Sequence, residues 1–166
     1  MNKGQLVFDL GKVENFDPND FFISESNHQV SSLLSETNNW FNGSAVIYGK
    51  PKSGKTHLLK MWAANNNATF VDCKEVSNWE HLSGSCSYAI DDLHHLKDDS
   101  EKDFFHFYNN LMLKKFKILC SVDTSINFEI SLHDLRSRFN SFTSSLIDDP
   151  DDKLINILIA VSYTHL

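Results

Sequence analysis

Large apolar side chains alternate at the start of the chain: in "MNKGQLVFDLGK", Leu6, Phe8 and Leu10 fall on one side of an extended segment. That pattern admits two readings, an edge strand of the domain or a peptide that another protein reads. Further on, "SESNHQVSSLLSETNNWF" carries Val30, Leu33, Leu34 and Trp40 at roughly helical spacing. With Ser24 or Ser26 as an N-cap, it predicts a helix over about 26–40. "GSAVIYGKPKSGKTHLLKMWAANN" predicts a strand, a Gly-rich loop and a helix whose apolar positions are Leu58, Leu59, Met61 and Trp62. Short apolar runs recur at "ATFVDC", "SYAIDD", "KFKILCSVD" and "FTSSLI", and the longest gap between them holds the amphipathic "DSEKDFFHFYNNLMLK". Strands alternating with helices need crossover connections, so the pattern predicts a mostly parallel sheet covered on both faces, a three-layer α/β architecture.

Composition narrows the class without changing the layout. The 166 residues suit one domain with a substantial core, and 41% hydrophobic with 12% aromatic content is enough apolar surface to fold. The net charge is −7, with acids bunched at 98–103 and 148–152 and no long Lys/Arg run, which argues against holding duplex DNA alone. Cys73, Cys86 and Cys120 sit inside apolar runs and read as reduced core residues of a cytoplasmic protein. No apolar run approaches the ~20 residues of a membrane helix, and residues 1–12 lack a signal-peptide pattern, so no membrane partner is expected. Residues 14–20 and 148–152 read as polar, Pro-containing joints.

The sharpest chemical signal is "GKPKSGKT", Gly49 to Thr56, which fits G-x-x-x-x-G-K-[ST] between a predicted strand and a predicted helix. A phosphate chain needs backbone N–H groups aimed inward, and Gly49 and Gly54 give the conformations and clearance that a side chain would block. The nucleotide-binding set is therefore Gly49, Lys50, Pro51, Lys52, Ser53, Gly54, Lys55 and Thr56. Lys55 is expected to reach the β- and γ-phosphates, Thr56 to ligate Mg²⁺, and Lys50 and Lys52 to be solvated loop charges. An acidic partner follows in "SYAIDDLHHL": Asp91 to hold Mg²⁺ through its water shell, and Asp92 to polarise an attacking water. Taken alone, these two acids also suit a turn or a helix cap. His94 and His95 are adjacent, are expected to point to different faces as turn residues, and predict no shared metal site.

Together, "GKTHLL" (54–59), "IDD" (90–92), "FFHFYN" (104–109), "ILCSVD" (118–123) and "DLRSRF" (134–139) resemble the AAA+ ATPases related to the bacterial replication initiator DnaA, in that family's order and spacing. The resemblance covers about residues 5–160. It implies a P-loop AAA+ three-layer sandwich with a central parallel five-stranded sheet. By the same resemblance "ILCSVD" is the sensor-1 strand, making Ser121 and Asp123 candidates at the γ-phosphate, although Thr124 stands where an Arg is common. In "LRSRF", Arg138 falls on the arginine-finger position, ahead of Arg136; both could instead pair with local carboxylates such as Asp134. A permanently charged planar fork suits a transferring phosphoryl group.

The N-terminal stretch and the absence of a helix-turn-helix segment resemble the short regulators of this family, which switch the initiator off. In that resemblance Gln5, Leu6, Phe8 and Leu10 form a sliding-clamp binding peptide within a tail of residues 1–12, and residues 13–149 form the nucleotide-binding core. The implied partners are the sliding clamp and DnaA, with a homo-oligomer as a further option and DNA reached only through the clamp. The implied cofactors are ATP or ADP with Mg²⁺, chiefly in a regulatory pocket of slow turnover. "DPDDKLINILIA" resembles the first turns of the helical lid, so residues 150–166 are expected to be a truncated lid whose last residues, "VSYTHL", are foreign to it. Two other classes stay open: a DnaA-like or helicase-loader-type ATPase acting directly in replication, and a binding module whose phosphate loop is structural.

Overall fold

A computed structural model describes residues 27–149. The proposed clamp peptide and lid segment lie outside the described residues. Within them the chain alternates α1 (His28–Ser35), β1 (Ser44–Gly49), α2 (Lys55–Asn65), β2 (Thr69–Asp72), β3 (Tyr88–Asp91), α3 (Glu101–Leu113), β4 (Ile118–Asp123), α4 (His133–Asn140) and β5 (Thr143–Ile147), with short 3₁₀ turns between. The five strands form one sheet in the order β2-β3-β4-β1-β5, and every neighbouring pair is parallel. The polar run "FTSSLI" is a strand, at the sheet edge, where alternate residues face solvent.

Strand parity divides the core into two layers. Val46, Tyr88, Ile90, Ile118, Cys120 and Val122 point to one face, under Trp79, Phe104, Phe107, Tyr108, Leu111 and Phe139. Ala45, Ile47, Ala89 and Leu119 point to the other, under Val30, Leu33, Leu58, Leu59 and Trp62. Because both faces are covered, the central strands β3 and β4 are buried at every position, as apolar runs rather than alternating ones require. Each large side chain fully buried this way contributes about 1.5–3 kcal/mol. Cys73 and Cys120 are buried, and burial pushes the Cys73 thiol up to about 12, so both behave as unreactive core residues.

One boundary differs from the sequence expectation. The helix expected over about 26–40 stops at Ser35 and gives way to 3₁₀ turns at Thr37–Asn39 and Phe41–Gly43. Trp40 shares the apolar side of α1 in sequence spacing but is held from outside it. Its indole N–H donates to Leu33 O at 2.8 Å and its ring meets Trp62 at 5.3 Å between centroids. No helix among the described residues is long and apolar enough to cross a membrane.

Candidate functional site

Strand parity also decides which polar side chains meet. Asp91 continues the Ala89 side of β3 and Ser121 continues the Leu119 side of β4, so both emerge on the face covered by α2. There Thr56 Oγ1 donates to Asp91 Oδ2 at 2.6 Å, and Ser121 Oγ donates to Asp91 Oδ1 at 2.5 Å. The Asp92 N–H in turn donates to Ser121 Oγ at 2.9 Å. Ser121 is fully buried, so it braces Asp91 and does not face the cavity as the sensor-1 resemblance implied.

The loop between β1 and α2 is folded around its own lysine. Lys55 Nζ donates to Gly49 O at 2.8 Å, Lys50 O at 2.6 Å and Ser53 Oγ at 3.4 Å. Burial lowers the pKa of this ammonium, against the opposing pull of Asp123, Asp92 and Asp91. Gly54 enters α2 at φ 95°, a left-handed conformation, and no atom would lie within 4 Å of a Cβ there. Gly49 is needed for the opposite reason: a Cβ would strike the Ile147 side chain and Ser53 Oγ. α2 has no side-chain N-cap, so its first N–H groups and dipole remain available to an anion.

These elements open on a cavity of about 820 Å³, within the range typical of small-molecule sites. Of the residues singled out in the sequence, Pro51, Lys52, Gly54, Lys55, Thr56, Asp92 and Asp123 line it. Lys52, expected to be merely solvated, is among them, at φ 64°. Lys50 is solvated as expected and pairs with Asp149 at 2.6 Å, away from the cavity. Asp92 sits at φ 54° and its Oδ2 meets Lys74 Nζ at 2.6 Å. The carboxylate of Asp123 accepts from Ser125 N and Ser125 Oγ, both at 2.8 Å, and the backbone bond chiefly holds its pKa below the usual carboxylate range.

Sequence reasoning missed six wall residues: His57, Lys60, Lys74, His94, His95 and Ile126. Lys60 follows from helical spacing, one turn after Thr56, whereas Lys74 has no sequence signal because β2–β3 pairing alone brings it beside Asp92. His94 and His95 correct an expectation. A 3₁₀ turn over Leu93–His95 carries them, and the rings meet at 4.4 Å between centroids instead of diverging. Successive residues in a 3₁₀ turn are about 120° apart, which still lets two rings lean over one edge. One ligand atom each from Asp92, His94 and His95 lies within 4.8 Å of the others, but Asp92 is paired with Lys74 and His94 Nδ1 accepts from Asp123 N at 3.2 Å. The trio is thus already engaged in protein contacts.

Arg138 is elsewhere. It is exposed on the last turn of α4 and lines a second cavity of about 760 Å³, with Gly43 and Lys117 at the starts of β1 and β4. The loop between β1 and α2 is at the other end of the sheet, across the six residues of β1, roughly 20 Å away at ~3.3 Å per residue. Arg136 lines neither cavity and comes within 3.5 Å of His133 Nδ1. Among the described residues the ion pairs are Lys50–Asp149 and Lys74–Asp92, so neither arginine is paired with Asp134.

No protein-family model matches this sequence, and no curated protein matches it. Solved structures do. A DNA replication initiation factor is similar at 21% identity and TM-score 0.73, over 89% of this chain and 53% of that one. DnaA from Aquifex aeolicus bound to AMPPCP is similar at 23% identity and TM-score 0.71, over 89% of this chain and 54% of that one. Domain III of the Thermotoga maritima initiation protein DnaA is similar at 18% identity and TM-score 0.65, over 82% of this chain and 68% of that one. The chain spans about half the length of the first two. Identity this low speaks to fold alone, and the three-layer α/β sandwich with its five-stranded parallel sheet is similar to the fold of these structures.

Proposed function

We propose that the chain is a nucleotide-binding regulator of replication initiation resembling Hda, which docks on the sliding clamp through Gln5, Leu6, Phe8 and Leu10 and presents Arg138 to ATP held by DnaA. The observation that carries this reading is the separation of Arg138 from Lys55 by the length of the sheet. A guanidinium that far away cannot serve the chain's own phosphate loop, yet it is exposed and unpaired among the described residues, as a cation offered to another molecule must be. The same geometry suits a homo-oligomer, in which one copy's Arg138 serves the next.

The chain's own pocket fits a nucleoside phosphate with Mg²⁺. Open backbone at Gly54, the uncapped start of α2 and the buried Lys55 ammonium suit the phosphates, while Thr56 Oγ1 and the Asp91 carboxylate are the hard oxygen donors Mg²⁺ prefers. Bound Mg²⁺ supplies charge neutralisation to the phosphates. Lys55 holds the phosphate chain, Ser121 fixes the Asp91 rotamer, and Lys74 restrains Asp92. Restraint of Asp92 agrees with a regulatory pocket of slow turnover, occupied by ATP or ADP.

The second reading, a DnaA-like or helicase-loader-type ATPase working directly, is favoured by the adjacent acids Asp91 and Asp92 beside the loop. Mixing the full chain with DNA-loaded clamp and ATP-bound DnaA, and comparing hydrolysis with Arg138→Ala, tests the first reading. Arg138→Ala is expected to abolish the stimulation, and equal rates would sink it. Deleting residues 1–10 separates the two, since it removes clamp-dependent stimulation in the first and leaves intrinsic turnover unchanged in the second.

A further inference from the structure

His94 is assigned no role by the phosphate-loop motif, the paired acids or the arginine position. Its ring lies on the wall of the 820 Å³ cavity, in company with Lys55, Asp92 and Asp123. Nδ1 accepts the backbone N–H of Asp123 at 3.2 Å, and a backbone donor can only be met by an unprotonated ring nitrogen. The neutral ring must therefore carry its proton on Nε2, on the far side of the imidazole from β4. His95 packs against it at 4.4 Å between centroids, which limits rotation of the ring. The result is a neutral N–H donor of fixed tautomer and restricted orientation, mounted at the ends of β3 and β4 on the part of the wall that carries the cavity's two carboxylates, Asp92 and Asp123, while Lys52, Lys55, Lys60 and Lys74 line the rest.

We propose that His94 is a specificity-determining residue of this pocket, donating its Nε2–H to the terminal phosphate of a nucleoside triphosphate and so distinguishing tri- from diphosphate. The assignment rests on the reading of the cavity as a nucleotide site. Its logic is electrostatic: Asp92 and Asp123, the two carboxylates of the lining, repel an added phosphate, and a neutral donor on the same wall, bonded to the Asp123 backbone, offsets that repulsion where the extra group arrives. Asp123 takes part through its main chain, because its carboxylate is occupied by Ser125.

The test is calorimetric binding of Mg·AMPPNP and Mg·ADP to the full chain, to His94→Phe and to His94→Gln, whose amide restores a donor. His94→Phe is expected to weaken AMPPNP about tenfold while leaving ADP within roughly twofold, and His94→Gln to recover most of the loss. Equal weakening of both nucleotides, or no change in either, overturns the assignment. Should His94→Phe fail to fold, ¹⁵N NMR of the wild-type imidazole decides: Nε2 is expected protonated without ligand, with a shift that moves on adding AMPPNP and not ADP. A proton on Nδ1, or identical shifts for both nucleotides, overturns the proposal. If the wild-type chain binds neither nucleotide, the nucleotide reading fails and this assignment with it, a result distinct from tight binding that ignores His94.

Discussion

Lys74 Nζ lies 2.6 Å from Asp92 Oδ2, so the second acid of the "IDD" segment is held by a cation from the neighbouring strand's end. Lys74 is half-exposed, which makes the pair a weak contributor to stability, in the range of about 0.2–1 kcal/mol. Lys74→Ala is therefore expected to leave the melting temperature within a few degrees. Freed of its partner, Asp92 is expected to raise basal ATP turnover severalfold, as measured by phosphate release. A large loss of stability, or turnover that does not move, would contradict the restraining role.

Gly49 gives a test of loop packing independent of chemistry. A methyl group there meets the Ile147 side chain and Ser53 Oγ, and lies 3.2 Å from the Ile147 carbonyl. Gly49→Ala is expected to destabilise by about 1–3 kcal/mol, the usual range for overpacking a fitted site, and to lower the melting temperature by several degrees. Gly54→Ala should differ in cause, since nothing is near but φ is 95°. Thermal unfolding of both variants reads the difference from wild type.

Glu101 couples the first turn of α3 to the segment leading into α4. The carboxylate is buried and accepts the N–H groups of Ser131 at 2.8 Å and Leu132 at 2.6 Å. Glu101→Ala would leave two backbone donors without this acceptor, an expected loss of about 2–4 kcal/mol in denaturant unfolding. Because α4 carries Arg138, partner hydrolysis should fall even at temperatures where the variant remains folded, while nucleotide binding in the distant cavity stays as in wild type.

His94 predicts a pH dependence. Burial lowers its pKa from 6.5, aided by His95 and Lys74 and opposed by Asp92 and Asp123. Between that lowered value and 6.5 the unfolded chain binds more protons than the folded one, so stability falls as pH drops through this window. Above 6.5 the ring is neutral in both states and the dependence ends. Urea unfolding at pH 5.5 and 7.5 is expected to show a smaller difference for His94→Gln than for wild type. An equal difference in both proteins would contradict it.

The order of elements, the parallel sheet and the glycine-bearing loop between β1 and α2 were legible in the sequence because each rests on local rules. Buried strands appear as apolar runs, amphipathic helices as a 3.6-residue period, and the loop needs glycine at fixed places. Trp40 shows where such rules stop: it fits the period of α1, but an indole hydrogen bond and a partner ring remote in sequence hold it outside the helix. The motifs named Asp91 and Thr56 as neighbours, and they meet at 2.6 Å, whereas nothing in the spacing indicated the place of Ser121. Only the register of β3 against β4 shows that its hydroxyl is buried against Asp91.

What the sequence determined by itself was the scaffold and which polar groups stand in the loop after β1 and at the ends of β3 and β4. Tertiary structure alone decided their partners. Lys74 reaches Asp92 across a strand pairing, His94 is fixed by the backbone of a strand nearly thirty residues later, and Arg138 is set at the far end of the sheet. The physical reason is that hydrogen bonds and charges act over a few ångströms. Chain spacing predicts such distances within one helix or strand, and across the sheet they depend on the packing and register that folding supplies.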